Sequence, residues 1–241
     1  MSVSWNPWHG CLRVSEGCRN CYVYRQDAAW QKDAGVLRKT AAFDLPVRRS
    51  RDGRWKIPGG ESVFTCFTSD FLFEGADPWR EQAWEMIRFR RDLHFLFFTK
   101  RIDRLEVCLP PDWGSGYENV TIGCTVENQE MTERRLPLFL QLPICHRIIV
   151  CAPLLGPIDL APYLSSKIEE VSVGGESGPE ARVCDYEWVL QLREQCVATD
   201  IPFCYHQTGA RLMKDGRLYR IPRLWQHIQA RKAGLDFKLG R

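Results

Sequence analysis

No apolar run in this chain approaches the ~20 residues that a membrane-spanning helix needs, so the sequence argues against a helical membrane protein. The first residues, Met1-Ser2-Val3-Ser4-Trp5, lack the basic start and apolar stretch of a secretory leader. A cytoplasmic location is therefore expected. Net charge is scarce too, because 33 Lys and Arg stand against 30 Asp and Glu, leaving +3. So small a balance neither demands nor excludes nucleic acid, since a local patch binds while the whole stays near neutral. There is no internal repeat, no low-complexity segment and no sign of a second domain.

What is present is a globular composition. The 241 residues are 44% hydrophobic and 26% charged, enough for a real core. Eleven cysteines need an explanation other than disulfides in a reducing compartment. Cys66, Cys124, Cys151 and Cys204 lie in apolar strand-like runs and read as small core residues. Most of the nine tryptophans also read as core.

Cys11, Cys18 and Cys21 are different. They follow Trp5-Asn6-Pro7-Trp8-His9-Gly10 with spacing C-x6-C-x2-C. Three thiolates close in sequence can hold three corners of a [4Fe–4S] cube and leave the fourth iron open to a small molecule. Gly10 and Gly17 each precede a cysteine, and glycine permits the left-handed backbone that a tight loop often needs. A zinc site with His9 as fourth ligand is the competing reading.

The pattern then alternates strands and helices. Strands are expected at 3–5, 62–67, 94–98, 120–125, 147–151, 170–173 and 202–205. Helices are expected at 22–34, 77–90 (Asp77 as cap, Pro78 in the first turn), 102–107, 128–141, 186–198 and 224–232. This rhythm predicts an α/β fold, a partial or complete parallel (β/α) barrel, as one domain over 1–241. Residues 35–62 read as an excursion, and the chain after about 209 as a basic, loop-rich C-terminal extension.

In such a fold function gathers at the carboxyl ends of the strands. Here those ends carry Ser69-Asp70, Lys100-Arg101, Glu127-Asn128, Gly174-Gly175-Glu176 and His206-Gln207. Each alone has a plain structural explanation, as a cap, a turn or a solvated charge. Together they suit a zwitterionic cofactor: carboxylates for its amine and ribose hydroxyls, cations for its carboxylate, glycine backbone for close approach.

These residues carry a resemblance. Trp5-Asn6-Pro7, Gly10-Cys11, Gly17-Cys18-Arg19-Asn20-Cys21-Tyr22, Thr68-Ser69-Asp70-Phe71, Phe98-Thr99-Lys100-Arg101, Pro153-Leu154-Leu155-Gly156-Pro157 and Gly174-Gly175-Glu176-Ser177-Gly178 resemble the phage-associated three-Cys-motif family, a domain of unknown function. The likeness spans nearly the whole chain and implies kinship with radical S-adenosylmethionine enzymes. In that reading Cys11, Cys18 and Cys21 ligate a [4Fe–4S] cluster, and S-adenosyl-L-methionine chelates the open iron. Ser69 and Asp70 would take its amine and Glu127 its ribose. Arg101, Asn128, Gly174, Gly175 and Gln207 complete the cofactor site, with Lys100, Glu176 and His206 as catalytic candidates. A flavodoxin or ferredoxin would supply electrons, and the substrate would be a nucleobase, a nucleic acid or a partner protein. Two departures stand out: such enzymes usually carry C-x3-C-x2-C, and family members usually have Glu where this chain has Ala152. Other readings are a zinc-containing nucleic-acid-binding module and a cluster-dependent reductase or repair enzyme that does not use S-adenosylmethionine.

Overall fold

The computed structural model describes residues 2–238; the outermost ends of the expected 1–241 domain lie outside them. The strands are β1 Ser2–Trp5, β2 Trp8–His9, β3 Arg38–Lys39, β4 Ser62–Thr65, β5 His94–Thr99, β6 Val120–Thr125, β7 His146–Cys151, β8 Glu170–Gly174, β9 Cys184–Asp185, β10 Phe203–Gln207, β11 Arg211–Lys214 and β12 Arg217–Arg220. The helices are α1 Tyr22–Ala29, α2 Asp77–Phe89, α3 Leu105–Cys108, α4 Gln129–Gln141, α5 Tyr186–Ala198 and α6 Arg223–Lys232. None is long and apolar enough to cross a membrane.

The main sheet has the order β1-β4-β5-β6-β7-β8-β10. Its ladders β1 with β4, β4 with β5, β7 with β8 and β8 with β10 are parallel. Each strand lies beside its predecessor in the main-sheet sequence, the order of a (β/α) barrel, and the run stops at seven. This fits the partial form of the expected barrel. The long apolar runs explain why these segments are strands: every residue of β6 is buried, as a parallel strand covered on both faces requires.

The described residues group into two compact units. The first holds 2–14, 23–123 and 142–146; the second holds 15–22, 124–141 and 147–238. An aromatic core fills the first. Phe71 stacks on Phe97 at 4.7 Å and meets Trp84 at 4.9 Å and Trp8 at 5.3 Å, and Trp84 meets Trp113 at 5.1 Å. The buried indole nitrogens find carbonyls, Trp84 at Cys108 (2.7 Å) and Trp113 at Pro143 (2.6 Å), so both of these N–H groups are paired. The second core is mainly aliphatic, with Leu136, Ile149, Val171, Val173, Val189 and Leu192 buried beside Phe139 and Phe203.

Several boundaries move. The first helix ends at Ala29, not near 34, because Gln31 takes φ 52° and turns the chain. The strand expected at 62–67 ends at Thr65, where Cys66 takes φ 65°. Asp77 is not the cap of α2 but its first residue, because the 3-10 turn Glu74–Ala76 runs directly into the helix. Its carboxylate instead meets Arg80 and Arg104. The excursion contains β3, paired antiparallel with β2. The tail is not loop-rich: β11 and β12 form an antiparallel hairpin across Asp215-Gly216, and β11 also pairs with β9 in a three-stranded sheet, β12-β11-β9.

Candidate functional site

In the first unit, the segment carrying Cys11 is tied to the ends of β4 and β5. Gly10 donates its N–H to the Thr68 carbonyl (3.2 Å), and Ser69 Oγ donates to the Gly10 carbonyl. Arg101 Nη2 donates to the Leu12 carbonyl (2.9 Å), and Tyr24 Oη donates to that of Cys11 (2.6 Å). Gly10 has φ 106°, and a Cβ there would lie 2.6 Å from the Val36 carbonyl oxygen, so the loop admits only glycine at this point.

Asp70, buried, organises the strand ends behind this loop. Its Oδ1 accepts from Thr99 Oγ1 (2.8 Å) and the Leu72 N–H (2.9 Å), and its Oδ2 accepts from the Lys100 N–H (3.0 Å). Thr99 Oγ1 in turn accepts from the Arg101 N–H at 2.9 Å. Asp70 therefore fixes Lys100 and Arg101 through their backbone. Arg101 is 3% exposed, and its Nε and Nη1 have no hydrogen-bond partner among the described residues. Glu74 Oε2 is 3.6 Å from Nε, near enough for charge but not for a hydrogen bond.

In the second unit, the segment carrying Cys18 and Cys21 is tied to the strand ends after β6 and β8. Glu127, 0% exposed, accepts from Ser15 Oγ and the Gly17 N–H (3.2 Å) on Oε1 and from Arg135 Nη1 (2.7 Å) on Oε2. Gly17 needs to be glycine for closeness, since a Cβ would meet the Glu127 side chain at 2.9 Å. Glu176 Oε2 accepts from Asn20 Nδ2 (3.0 Å), the Arg182 N–H (2.8 Å) and Arg182 Nε (3.0 Å); Oε1 accepts from Arg182 Nη2 (2.6 Å). Arg182 also reaches Glu16, by Nη1 to Oε1 and Nη2 to the carbonyl, both at 3.1 Å. Burial alone would raise the Glu176 carboxyl, but the Arg182 and Asn20 hydrogen bonds outweigh it and hold it below its ordinary value.

The remaining expected residues lie in the same unit. Asn128 caps α4, its Oδ1 accepting from the Met131 N–H at 3.0 Å. Gly174 backs onto the His206 ring and Gly175 onto the Thr208 carbonyl, where a Cβ would sit 2.4 Å away in each case. His206 Nδ1 is 3.3 Å from Ser172 Oγ. Burial, with His227 and Arg223 nearby, pushes His206 down to about 4, so its ring is neutral at pH 7. Gln207 donates to the Gly175 carbonyl (2.9 Å) and accepts from Arg223 Nη1 (3.3 Å). Sequence reasoning missed Ser15, Arg135 and Arg182. Arg135 alone left a signal, a charge on the apolar face of α4.

The thiols divide by environment. Cys11, Cys18 and Cys21 are half-exposed, as are Cys145 and Cys204 (the last expected in the core), whereas Cys66, Cys108, Cys124, Cys151, Cys184 and Cys196 are buried. Burial pushes the Cys184 and Cys196 thiols up to about 12, which keeps them protonated and inert. Among the described residues no group of three or more His, Cys, Asp or Glu side chains is placed to hold a metal ion. A single zinc gathers its donors within about 2.0–2.3 Å of one point, whereas a cube takes each thiolate on a separate iron. His9, the zinc reading's fourth ligand, has its Nε2 2.7 Å from Asp27 Oδ2.

No curated protein and no solved structure matches the chain. A family model matches residues 1–237, which takes in both cysteine-bearing segments and every strand end described above. The chain belongs to that family, described as "Protein of unknown function (DUF5131)".

Proposed function

We propose that this chain is an iron–sulfur enzyme of the radical S-adenosylmethionine type, with Cys11, Cys18 and Cys21 as cluster ligands. The observation that carries the reading is Arg101. A guanidinium 3% exposed, with two nitrogens lacking hydrogen-bond partners among the described residues and Glu74 too far at 3.6 Å to supply one, has room for a further anionic acceptor. Its third nitrogen holds the Leu12 carbonyl beside Cys11, so the anion it suits is the carboxylate of an amino-acid cofactor at the cysteine loop.

A cluster held by Cys11, Cys18 and Cys21 with S-adenosylmethionine beside it would supply one-electron radical chemistry toward a C–H bond of the substrate, and a flavodoxin or ferredoxin would supply the electron. The chain's own residues hold and orient. Asp70, Glu127 and Glu176 accept hydrogen bonds from the protein, which supports positioning roles for them in place of direct contact with amine or ribose. Ser69 and Gly175 shape the backbone near the cofactor. Lys100 and neutral His206 are the groups left to face the substrate.

Anaerobic reconstitution with iron and sulfide tests this. The expected result is about four irons with inorganic sulfide, a visible charge-transfer band lost in Cys11→Ser, and 5′-deoxyadenosine on adding dithionite and S-adenosylmethionine. Arg101→Ala should keep the band and weaken S-adenosylmethionine binding by about ten-fold or more. One zinc without sulfide, or a band without 5′-deoxyadenosine, overturns it.

A further inference from the structure

The chain's charge is unevenly distributed. Residues 211–232 contain seven Arg and Lys against one Asp, a net of +6, while the whole chain is +3. The other 219 residues therefore carry −3. In the structure this segment is β11, β12 and α6, all in the second unit. Among the described residues none of Arg211, Lys214, Arg217, Arg220, Arg223, Arg231 and Lys232 is in an ion pair with an acid.

The hairpin register sharpens the point. Arg211 lies opposite Arg220, and Lys214 opposite Arg217. Like charges directly opposite across an antiparallel ladder are destabilising, so the fold carries two unfavourable rungs, on opposite faces of the hairpin because they lie three residues apart; a polyanion on the Lys214–Arg217 face, which also carries Tyr219, would relieve one of them. Between and beside these cations lie exposed apolar side chains: Tyr219 39%, Trp225 46% and Leu224 75% exposed. Every residue from Asp215 to Arg220 is exposed. Arg217 stands 5.1 Å over the Tyr219 ring, and Lys214 4.7 Å over that of Tyr186.

Cations without an acid partner, interspersed with exposed aromatic rings, match one class of partner. Phosphates meet the cations, and unstacked bases lie on the rings. We infer that β11, β12 and α6 form a binding surface for single-stranded nucleic acid. A duplex keeps its bases stacked inside and offers nothing to Tyr219 or Trp225. The surface adjoins the strand end of β10: the Thr208 N–H bonds to the Gln226 carbonyl (3.2 Å), Arg223 reaches Gln207 (3.3 Å), and His227 Nδ1 is 2.6 Å from the His206 carbonyl. A strand held on α6 thus lies on the helix that packs against two of the expected site residues. The inference stands on these elements and not on the cysteines, so it survives or fails independently of the cluster.

Fluorescence anisotropy of the full chain with labelled single strands, DNA and RNA in separate arms, tests it. The expected result is retention of at least one, weakening steeply as salt is raised. Arg217→Gln with Arg220→Gln should reduce the salt slope by about 1 to 2. Trp225→Ala should weaken binding by about five-fold or more at every salt concentration. The same melting curve in both variants confirms intact folding, and Arg48→Gln with Arg54→Gln, elsewhere in the chain, should bind as the parent does. Three results each overturn the inference: no salt-dependent retention of either strand, a duplex bound as tightly as the single strand, or retention untouched by the tail variants. Tail-dependent binding of polyglutamate as tight as that of the oligonucleotide overturns it too, because the surface would then read charge alone.

Discussion

The second unit holds charges of two kinds. At the strand ends, Glu127 with Arg135 and Glu176 with Arg182 form closed sets, each carboxylate facing a guanidinium and further donors from 15–20. In the hairpin and α6, seven cations stand without an acid partner among the described residues. The first kind fixes a loop. The second kind makes no ion pair with an acid among the described residues and, where like charges face each other, works against the fold. A basic run elsewhere makes the same distinction: Arg48 pairs with Asp44, Arg54 with Asp52, and Arg49 donates to the Gly53 carbonyl at 2.6 Å. Arginine density alone therefore does not mark a partner; arginine without an internal acid does.

The comparison breaks most visibly in stability. Glu127→Gln leaves Arg135 buried against a neutral group, and breaking a buried pair costs about 3–5 kcal/mol. Urea unfolding should show a loss of that order, whereas Arg217→Gln should stay within about 0.5 kcal/mol. Equal losses in both would mean the hairpin charges are structural after all.

Acid sharpens the contrast next. The Glu176 carboxyl is depressed in the folded state, so its contribution is complete above its unfolded value of about 4.3 and is lost as pH falls through the folded value. His206 has the same sign. Its folded value of about 4 lies below the ordinary 6.5, so the unfolded chain binds the extra proton in between, and stability falls as pH drops from 6.5 toward 4. Melting temperatures across about pH 7 to 2 should decline. His206→Gln should flatten the upper part of that decline and Glu176→Gln the lower. A profile flat in the parent would refute both assignments.

The smallest effect has the opposite direction. Arg217→Glu places an acid opposite Lys214, turning a repulsive rung into an attractive one. A gain of about 0.2–1 kcal/mol is expected in the unfolding midpoint, together with weaker oligonucleotide binding. A loss of stability would mean the rung is not repulsive.

The seven strands of the main sheet were legible because a parallel strand is a short apolar run, and runs such as Val120–Thr125 or Ile148–Cys151 are too short for a core helix and suit a strand covered on both faces. The hairpin was not, although Asp215-Gly216 between two four-residue segments is a turn signal. Both of its residues take positive φ, 51° and 70°. The density of arginine made the flanks read as loop. At the site, Asp70, Glu127 and Glu176 were legible as polar punctuation after apolar strands. Their partners were not, because Ser15 lies 112 residues from Glu127 and Asn20 lies 156 from Glu176. A hydrogen bond across such a distance leaves no periodic trace.

β12 is the last strand of its three-stranded sheet. Its outer backbone is a template on which a second copy can add a strand, the usual route from an open edge to aggregation. Arg217 and Arg220 guard that edge by mutual repulsion between molecules. The same two side chains thus keep the protein apart from itself, and a variant that replaces both with apolar residues should be less soluble before it is less stable.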